Sequence, residues 1–214
     1  MAPDLPYYLP WTPGLVTHTA LAVVSTDLVL GALIWVVWHA VLAAPAVAVA
    51  PSGLRARLAG VPLGLRARVS SLPAVGLVAL ALVAGSATHV LWDEFTHARR
   101  WGAEHVPVLA AVYGPLPGWA WAQQASGVLG AVVLLAWFVR WWRRAPVHGD
   151  RRPVAWWPWV VVVGAGAVVG GAAALAAPRP GSAAFQGATW GGFGAGVAGL
   201  ALAVGWHLGR RRAG

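Results

Sequence analysis

The 214-residue sequence contains no cysteine and no lysine, and only six acidic residues. Without cysteine there are no disulfides and no thiolate metal sites, so any metal must be held by histidine and carboxylate. Without lysine, all 15 basic residues are arginines, and they sit in short segments between apolar runs. That distribution is a topology signal rather than a nucleic-acid-binding one. Charge of either sign is scarce, at 10% of residues, whereas 59% are hydrophobic. This is far from the balance of a soluble domain, and the chain reads as an all-α integral membrane bundle. The start, "MAPDLPYYLPWTPG", lacks the basic segment and apolar core of a cleaved signal peptide. No nucleotide-binding motif and no nucleophile elbow occurs.

A spanning helix needs roughly 20 mostly apolar residues. Five stretches qualify, at about 15–44, 72–96, 117–142, 156–177 and 185–208, within a single membrane domain covering 1–214. Residues 1–14 read as a Pro-rich external lead-in and 51–71 as an interfacial loop. Arg55, Arg57, Arg66 and Arg68, then Arg140, Arg143, Arg144, Arg151 and Arg152, then Arg210, Arg211 and Arg212 fall on one side. The other side receives Arg99, Arg100 and Arg179, so the positive-inside rule predicts an external N-terminus and a cytoplasmic C-terminus in a multi-pass protein of the cell membrane. Tryptophans cluster at both boundaries, Trp141, Trp142, Trp156, Trp157 and Trp159 at one and Trp92, Trp101, Trp119 and Trp121 at the other, as interfacial rings prefer.

The fourth and fifth spans carry Gly and Ala at small-xxx-small spacing, which lets helix backbones approach closely in lipid. They read as scaffold. The repeated "GLRAR" at 53–57 and 64–68 is expected to lie at the interface with its arginines on lipid headgroups.

The segment "GSATHVLWDEFTHARRW" at 85–101 departs from this apolar background. His89, Asp93 and His97 recur every fourth residue and share one helical stripe. Counting 1.5 Å per residue from Leu72, His89 lies about 25 Å along the span, near the outer edge of the hydrocarbon. His18 enters the first span from the same side and Asp4 precedes it, so topology gathers Asp4, His18, His89, Asp93, Glu94, His97 and His105 at one membrane face. The His89 and Asp93 pair can chelate one ion, with His18 and Asp4 as further ligands. The alternative is a structural polar network. His97 lies about 12 Å of helix beyond His89, so it reads as a ligand of a second metal, a substrate contact or a partner of the ligands. Imidazoles with carboxylates suit a divalent metal, Zn first. His39, His148 and His207 read as packing or headgroup-bonding residues, and so does His105. Asp27, half a helical turn from His18, is expected to bond another helix; Gln123 and Gln124, near the outer end of the third span, read first as ordinary helix residues, with lining of the same cavity the lesser alternative.

Together "MAPDLPYYL", "THTAL", "STDLVLGALIWVVWH", "GLRARL" and "GSATHVLWDEFTH" resemble the bacterial integral-membrane family called domain of unknown function 4184, which is distantly similar to predicted membrane-bound metal-dependent hydrolases. The resemblance covers the first half of the chain closely and the second in hydropathy. It implies Asp4, His18, His89, Asp93 and with them His97 as metal residues, and Asp27 as a recurring polar position. In that family the Ala-Pro-Asp motif follows a segment with a Ser-His pair, whereas here Met1 abuts it. The chain is therefore expected either to start at an internal methionine, lacking an N-terminal segment, or to have lost a ligand.

The leading expectation is an ester or phosphoester hydrolase with a lipid-like or envelope substrate, in which Glu94 and His97 handle protons. The alternative is a non-enzymatic membrane protein that uses the cluster for ion or metal transport or for structure. No nucleic acid is expected as a partner, and the lipid bilayer is. If an N-terminal segment is missing, in-frame codons upstream of the gene's start encode a His-bearing apolar stretch. An immediate upstream stop codon overturns that expectation.

Overall fold

The computed structural model describes residues 2–9, 14–149 and 153–212. Positions 10–13 of the lead-in, and Arg151 and Arg152 of the third loop, lie outside the described residues. The fold is an all-α bundle, with five helices among the described residues long and apolar enough to cross a membrane. A 3-10 turn, Leu5–Tyr8, precedes the first span. That span is segmented into α1 (Ala20–Val23), α2 (Thr26–Val37), a π-helical turn (Trp38–Leu42) and α3 (Ala43–Ala48). The short α4 (Ser52–Leu58) leads to the second span, α5 (Leu72–Thr96). Then α6 (Trp101–His105), α7 (Pro107–Ala110) and a minimal hairpin, β1 (Val112–Tyr113) with β2 (Leu116–Pro117), lead to the third span, α8 (Gly118–Arg144). The fourth and fifth spans are α9 (Trp157–Leu175) and α10 (Pro180–Arg212).

Local chemistry explains several boundaries. Ser71 caps α5 by accepting from the Ala74 N–H, and Pro73 sits in the first turn, where its missing donor is harmless. The β1–β2 turn is Gly114-Pro115, with Gly114 at φ +63, the geometry of a hairpin turn with glycine first. The π turn has an equally local cause. Pro45 has no N–H to give the Val41 carbonyl four residues back, so the helix loosens there and His207 Nε2, from α10, donates to the Val41 oxygen at 3.0 Å.

Lipid-like packing is visible in what is buried. The buried hydrophobic residues are mostly alanines, while large side chains such as Leu72, Leu77, Leu129 and Val168 face outward. With lipid as apolar as leucine, helices associate through close backbone approach rather than through burial of large side chains. The α9–α10 hairpin is the clearest case. A Cβ on Gly170 would come within 2.5 Å of the Gly187 oxygen, and one on Gly166 would meet the Gly191 oxygen at 3.1 Å.

At the arginine-rich end, carbonyls at helix termini are taken by side chains. Arg57 Nε donates to Trp142 O at 2.8 Å and its guanidinium lies over the Trp142 ring. Arg55 is buried and donates to the oxygens of Ala48 and Pro153. Trp159 Nε1 donates to Val49 O at 2.9 Å. The first "GLRAR" thus turns two arginines inward onto backbone rather than outward to headgroups, because helix-end carbonyls near the membrane need donors. Arg66 and Arg68 of the second copy are exposed.

The lead-in also differs from a free external strand. Pro3 is fully buried, the Ala2 methyl lies against the place a Gly31 Cβ would occupy, and Tyr8 covers Gly192 of α10. Residues 2–9 are therefore wedged among α2 and α10, which fixes Asp4.

Replacing Gly170 by Ala is expected to destabilise the protein in detergent by about 1–3 kcal/mol, as overpacking does. Gly171→Ala, into open space on the same helix, should leave the unfolding midpoint unchanged or slightly raised. Thermal unfolding followed by fluorescence-detected gel filtration checks the pair.

Candidate metal centre

Four side chains from three segments converge where the first span begins and the second ends. Asp4 comes from the wedged lead-in, His18 from the chain before α1, and His89 and Asp93 from the last turns of α5. One ligand atom from each lies within 4.8 Å of the others. His18 is not helical, contrary to the expectation that it enters on the span. Its backbone takes φ +60, and α1 begins only at Ala20, capped by Thr19 accepting from the Ala22 N–H. A left-handed non-glycine residue carries strain that the surroundings must hold in place.

The distances alternate between donor types. His18 Nε2 is 3.1 Å from Asp4 Oδ1 and 3.5 Å from Asp93 Oδ2. His89 Nε2 is 3.1 Å from Asp4 Oδ2 and 3.5 Å from the same Asp93 Oδ2. Atoms held 2.0–2.2 Å from one ion at tetrahedral corners would be about 3.3–3.6 Å apart. The four contacts lie near that spacing but use both oxygens of Asp4; taken one atom per residue, the four donors gather within 4.8 Å of one another. A hydrogen-bonded network accounts for one of the four contacts, since His18 Nε2 donates to Asp4 Oδ1 at 3.1 Å in the tautomer that carries its proton there. Asp93 Oδ2 is long for a bond to either imidazole, and His89 Nε2 is buried without any hydrogen-bond partner despite its 3.1 Å approach to Asp4. His18 bridges Thr17 Oγ1, 2.9 Å from Nδ1, and Asp4 Oδ1, 3.1 Å from Nε2; with the proton on Nδ1 and donated to Thr17, the Nε2 lone pair would be free for an ion at the centre.

His97 lies beside this set rather than within it. Its Nδ1 is 3.4 Å from Asp93 Oδ1, the oxygen not turned to the imidazoles, and the Gln123 amide donates to its Nε2 at 3.0 Å. His97 thus bridges Asp93 and Gln123. Gln123 joins the site through it, while Gln124 is exposed. Trp92 Nε1 donates to Ser126 Oγ, so α5 and α8 are pinned together at two points near the site.

Glu94 faces a different set of partners. Its carboxylate accepts from Arg100 at 3.1 Å and from the Trp101 N–H at 3.1 Å, holding the turn from α5 into α6. His105 stacks on Trp101, His39 packs on Trp35, His148 approaches the Ala56 oxygen and His207 serves the π turn. Asp27 makes no bond to another helix among the described residues: it is completely buried, with the His18 backbone N–H and the His18 and His89 imidazoles as its polar neighbours. Two contacts were not readable from spacing, the Thr17 buttress and the Tyr7 ring, 6.3 Å from the His18 ring.

Residues 1–204 match the family described as "Domain of unknown function (DUF4184)", and the chain belongs to that family. No curated protein and no solved structure matches it.

The four-donor geometry is expected to hold about one equivalent of Zn2+ or Co2+ per chain in detergent. His89→Ala and Asp93→Ala should each weaken that binding at least tenfold, whereas His105→Ala should not. Elemental analysis after gel filtration reads the result, and metal at background in the unmutated protein refutes it.

Proposed function

We propose that this member of the family is a metal-dependent hydrolase of the cell membrane, with its site at the outer surface and a lipid-like or envelope ester or phosphoester as substrate. The observation that supports the reading most is the buried His89 Nε2, which meets two carboxylates and bonds neither. Zn2+ suits the two imidazoles and two carboxylates best. A bound divalent ion supplies Lewis acidity and a water that ionises near neutral pH.

The chain's own residues divide the remaining work. His89 and Asp93, on one turn of a rigid helix, set the centre, and His18 closes it from the left-handed loop. Asp4 is the more open carboxylate, its side chain 22% exposed against 9% for Asp93, and it comes from the lead-in. It is the ligand best placed to yield a coordination position to water or substrate, as catalytic sites require. His97, 46% exposed and backed by Asp93, is the proton carrier for the leaving group. Glu94, bound to Arg100, shapes the rim rather than the centre. Arg99 and Arg100 bring positive charge to that rim, which suits an anionic headgroup.

Four protein donors are also the number in a closed structural site, and this favours a second reading, in which the cluster binds metal for transport or structure. Turnover separates the two. Zinc-loaded protein should hydrolyse a generic nitrophenyl phosphodiester or ester, stop on chelation and resume with zinc. His97→Ala should lower the rate about 10²- to 10⁴-fold with metal content retained, and Glu94→Ala should have the smaller effect. Full zinc occupancy without turnover on either probe, together with zinc flux in vesicles, would replace the hydrolase by a transporter.

A further inference from the structure

A cavity of about 710 Å³ opens between the first, fourth and fifth spans at the arginine-rich end, opposite the four-donor centre. Its size is that of a ligand site, roughly 300–1,000 Å³. Trp38, Leu42 and Val49 of the first span, Trp157 of α9, and Gly199 and Trp206 of α10 are among its lining. Local sequence makes the space. The π turn, loosened by Pro45, forms one wall and is tied to α10 by His207 on the Val41 oxygen. Such turns recur at functional sites. On the α10 wall, a Cβ on Gly199 or Gly205 would meet nothing within 4 Å. Gly191 and Gly194 of the same helix instead lie against α9 backbone. The first pair of glycines therefore leaves room, and the second makes contact.

Depth and charge indicate what fills it. From Trp38 to Val49 the lining of the first span rises about 16 Å at 1.5 Å per residue. That is about half of the ~30 Å hydrocarbon core, so the cavity is one leaflet deep. The positive-inside rule assigns that leaflet to the cytoplasm. Gly199, Ala203, Trp206 and Arg210 follow one another along α10 at helical spacing and share one stripe. The Arg210 guanidinium lies over the Trp206 ring, 4.8 Å from its centroid, and so stands at the mouth. Arg212, two residues on, belongs to the other side of the helix. Of the chain's six acidic residues only Asp150 falls at this end, which leaves its arginines short of protein carboxylates. Basic pockets between spans on the cytoplasmic side take anionic lipid headgroups.

We propose that this cavity binds one anionic phospholipid of the cytoplasmic leaflet, with an acyl chain between the first, fourth and fifth spans and the phosphate on the Arg210 guanidinium. Apolar walls one leaflet deep and a cation at the mouth match a lipid with an anionic headgroup. A soluble anion would leave the tryptophan-lined interior unfilled. Trp38, Trp157 and Trp159, all large and exposed toward the cavity end of the bundle, suit the boundary between headgroup and chain. The lipid bridges the segmented first span to the α9–α10 scaffold, and the site stands whether or not the distant centre holds a metal.

The test uses the full chain in detergent, stripped of lipid, titrated with phosphatidylglycerol or phosphatidylcholine and read by native mass spectrometry. The wild-type protein should bind one phosphatidylglycerol at least tenfold more tightly than phosphatidylcholine. Gly199→Phe, which fills open space in the cavity, should weaken phosphatidylglycerol binding at least tenfold. Arg210→Gln should remove the preference between the two lipids, whereas Arg212→Gln should keep it. Equal binding of both lipids by the wild type, unchanged binding in Gly199→Phe, or equal losses in the two arginine variants overturns the proposal. A wild-type dimer that Gly199→Phe dissolves also overturns it, by assigning the cavity to a second copy. Should Gly199→Phe not fold, phosphatidylglycerol with a diazirine in its acyl chain decides on the wild type. Labelling concentrated on residues 38–49, 157–162 and 199–206 supports the site, and labelling spread over all five spans refutes it.

Discussion

The arrangement depends on one electrostatic problem, two carboxylates held against each other at the end of a membrane bundle. Carboxylate oxygens of Asp4 and Asp93 lie within 4.8 Å of each other, Asp93 buried and Asp4 partly so. At an effective dielectric of about 20 their repulsion is about 3–4 kcal/mol. The divalent cation proposed for the four donors would offset it. The imidazoles of His18 and His89 are interposed between the two acids, each near both. The wedging of the lead-in through Pro3 and Ala2, the positive φ of His18 and the late start of α1 are the backbone consequences.

Holding such a centre requires a scaffold that does not give way, and the rest of the chain supplies it by two means suited to lipid. In α9 and α10, glycines remove side chains so that backbone packs on backbone, and Tyr8 of the lead-in seats on Gly192 of the same scaffold. At the opposite end, Arg55, Arg57, Trp159 and His207 donate to carbonyls that helix ends and Pro45 leave without partners. Both means answer the same constraint, since a polar backbone group in hydrocarbon has no water to turn to.

How far the fold could be read in advance follows from which interactions are periodic. The five spans and the shared face of His89 and Asp93 are properties of a regular helix, so hydropathy and a four-residue spacing were enough. Asp4 and His18 reached the same face through topology alone. What spacing could not show is irregular backbone and local pairing. His18 is left-handed rather than helical because the chain must turn it onto a centre that α1, starting at Ala20, does not reach. Glu94 is adjacent to Asp93 yet points to Arg100, because one residue along a helix is a 100° rotation. Arg55 and Arg57 turned inward because nearby helix ends lacked donors, a need that becomes visible only once the ends are located. The π turn was more accessible than these: Pro45 in a span implies an orphaned carbonyl at Val41, and only its partner, His207, required the fold.

The same geometry explains how His97 can serve a centre from which the helix carries it about 12 Å in axial rise. His97 is the C-cap of α5, its N–H still bonded to the Asp93 oxygen while its own backbone is extended, and this turns its ring back onto Asp93. His97 therefore meets Asp93 rather than the ligand atoms, and it does so through the oxygen that the imidazoles leave free. Asp93 then works in both directions, one oxygen inward to His18 and His89 and the other outward to His97, which continues to Gln123 on α8. A ladder of three groups on one stripe is thus a path as much as a cluster. It runs from the partly buried His89 imidazole through the buried Asp93 carboxylate to the half-exposed His97 imidazole, the first step fixed by one helical turn and the second by the helix's C-cap.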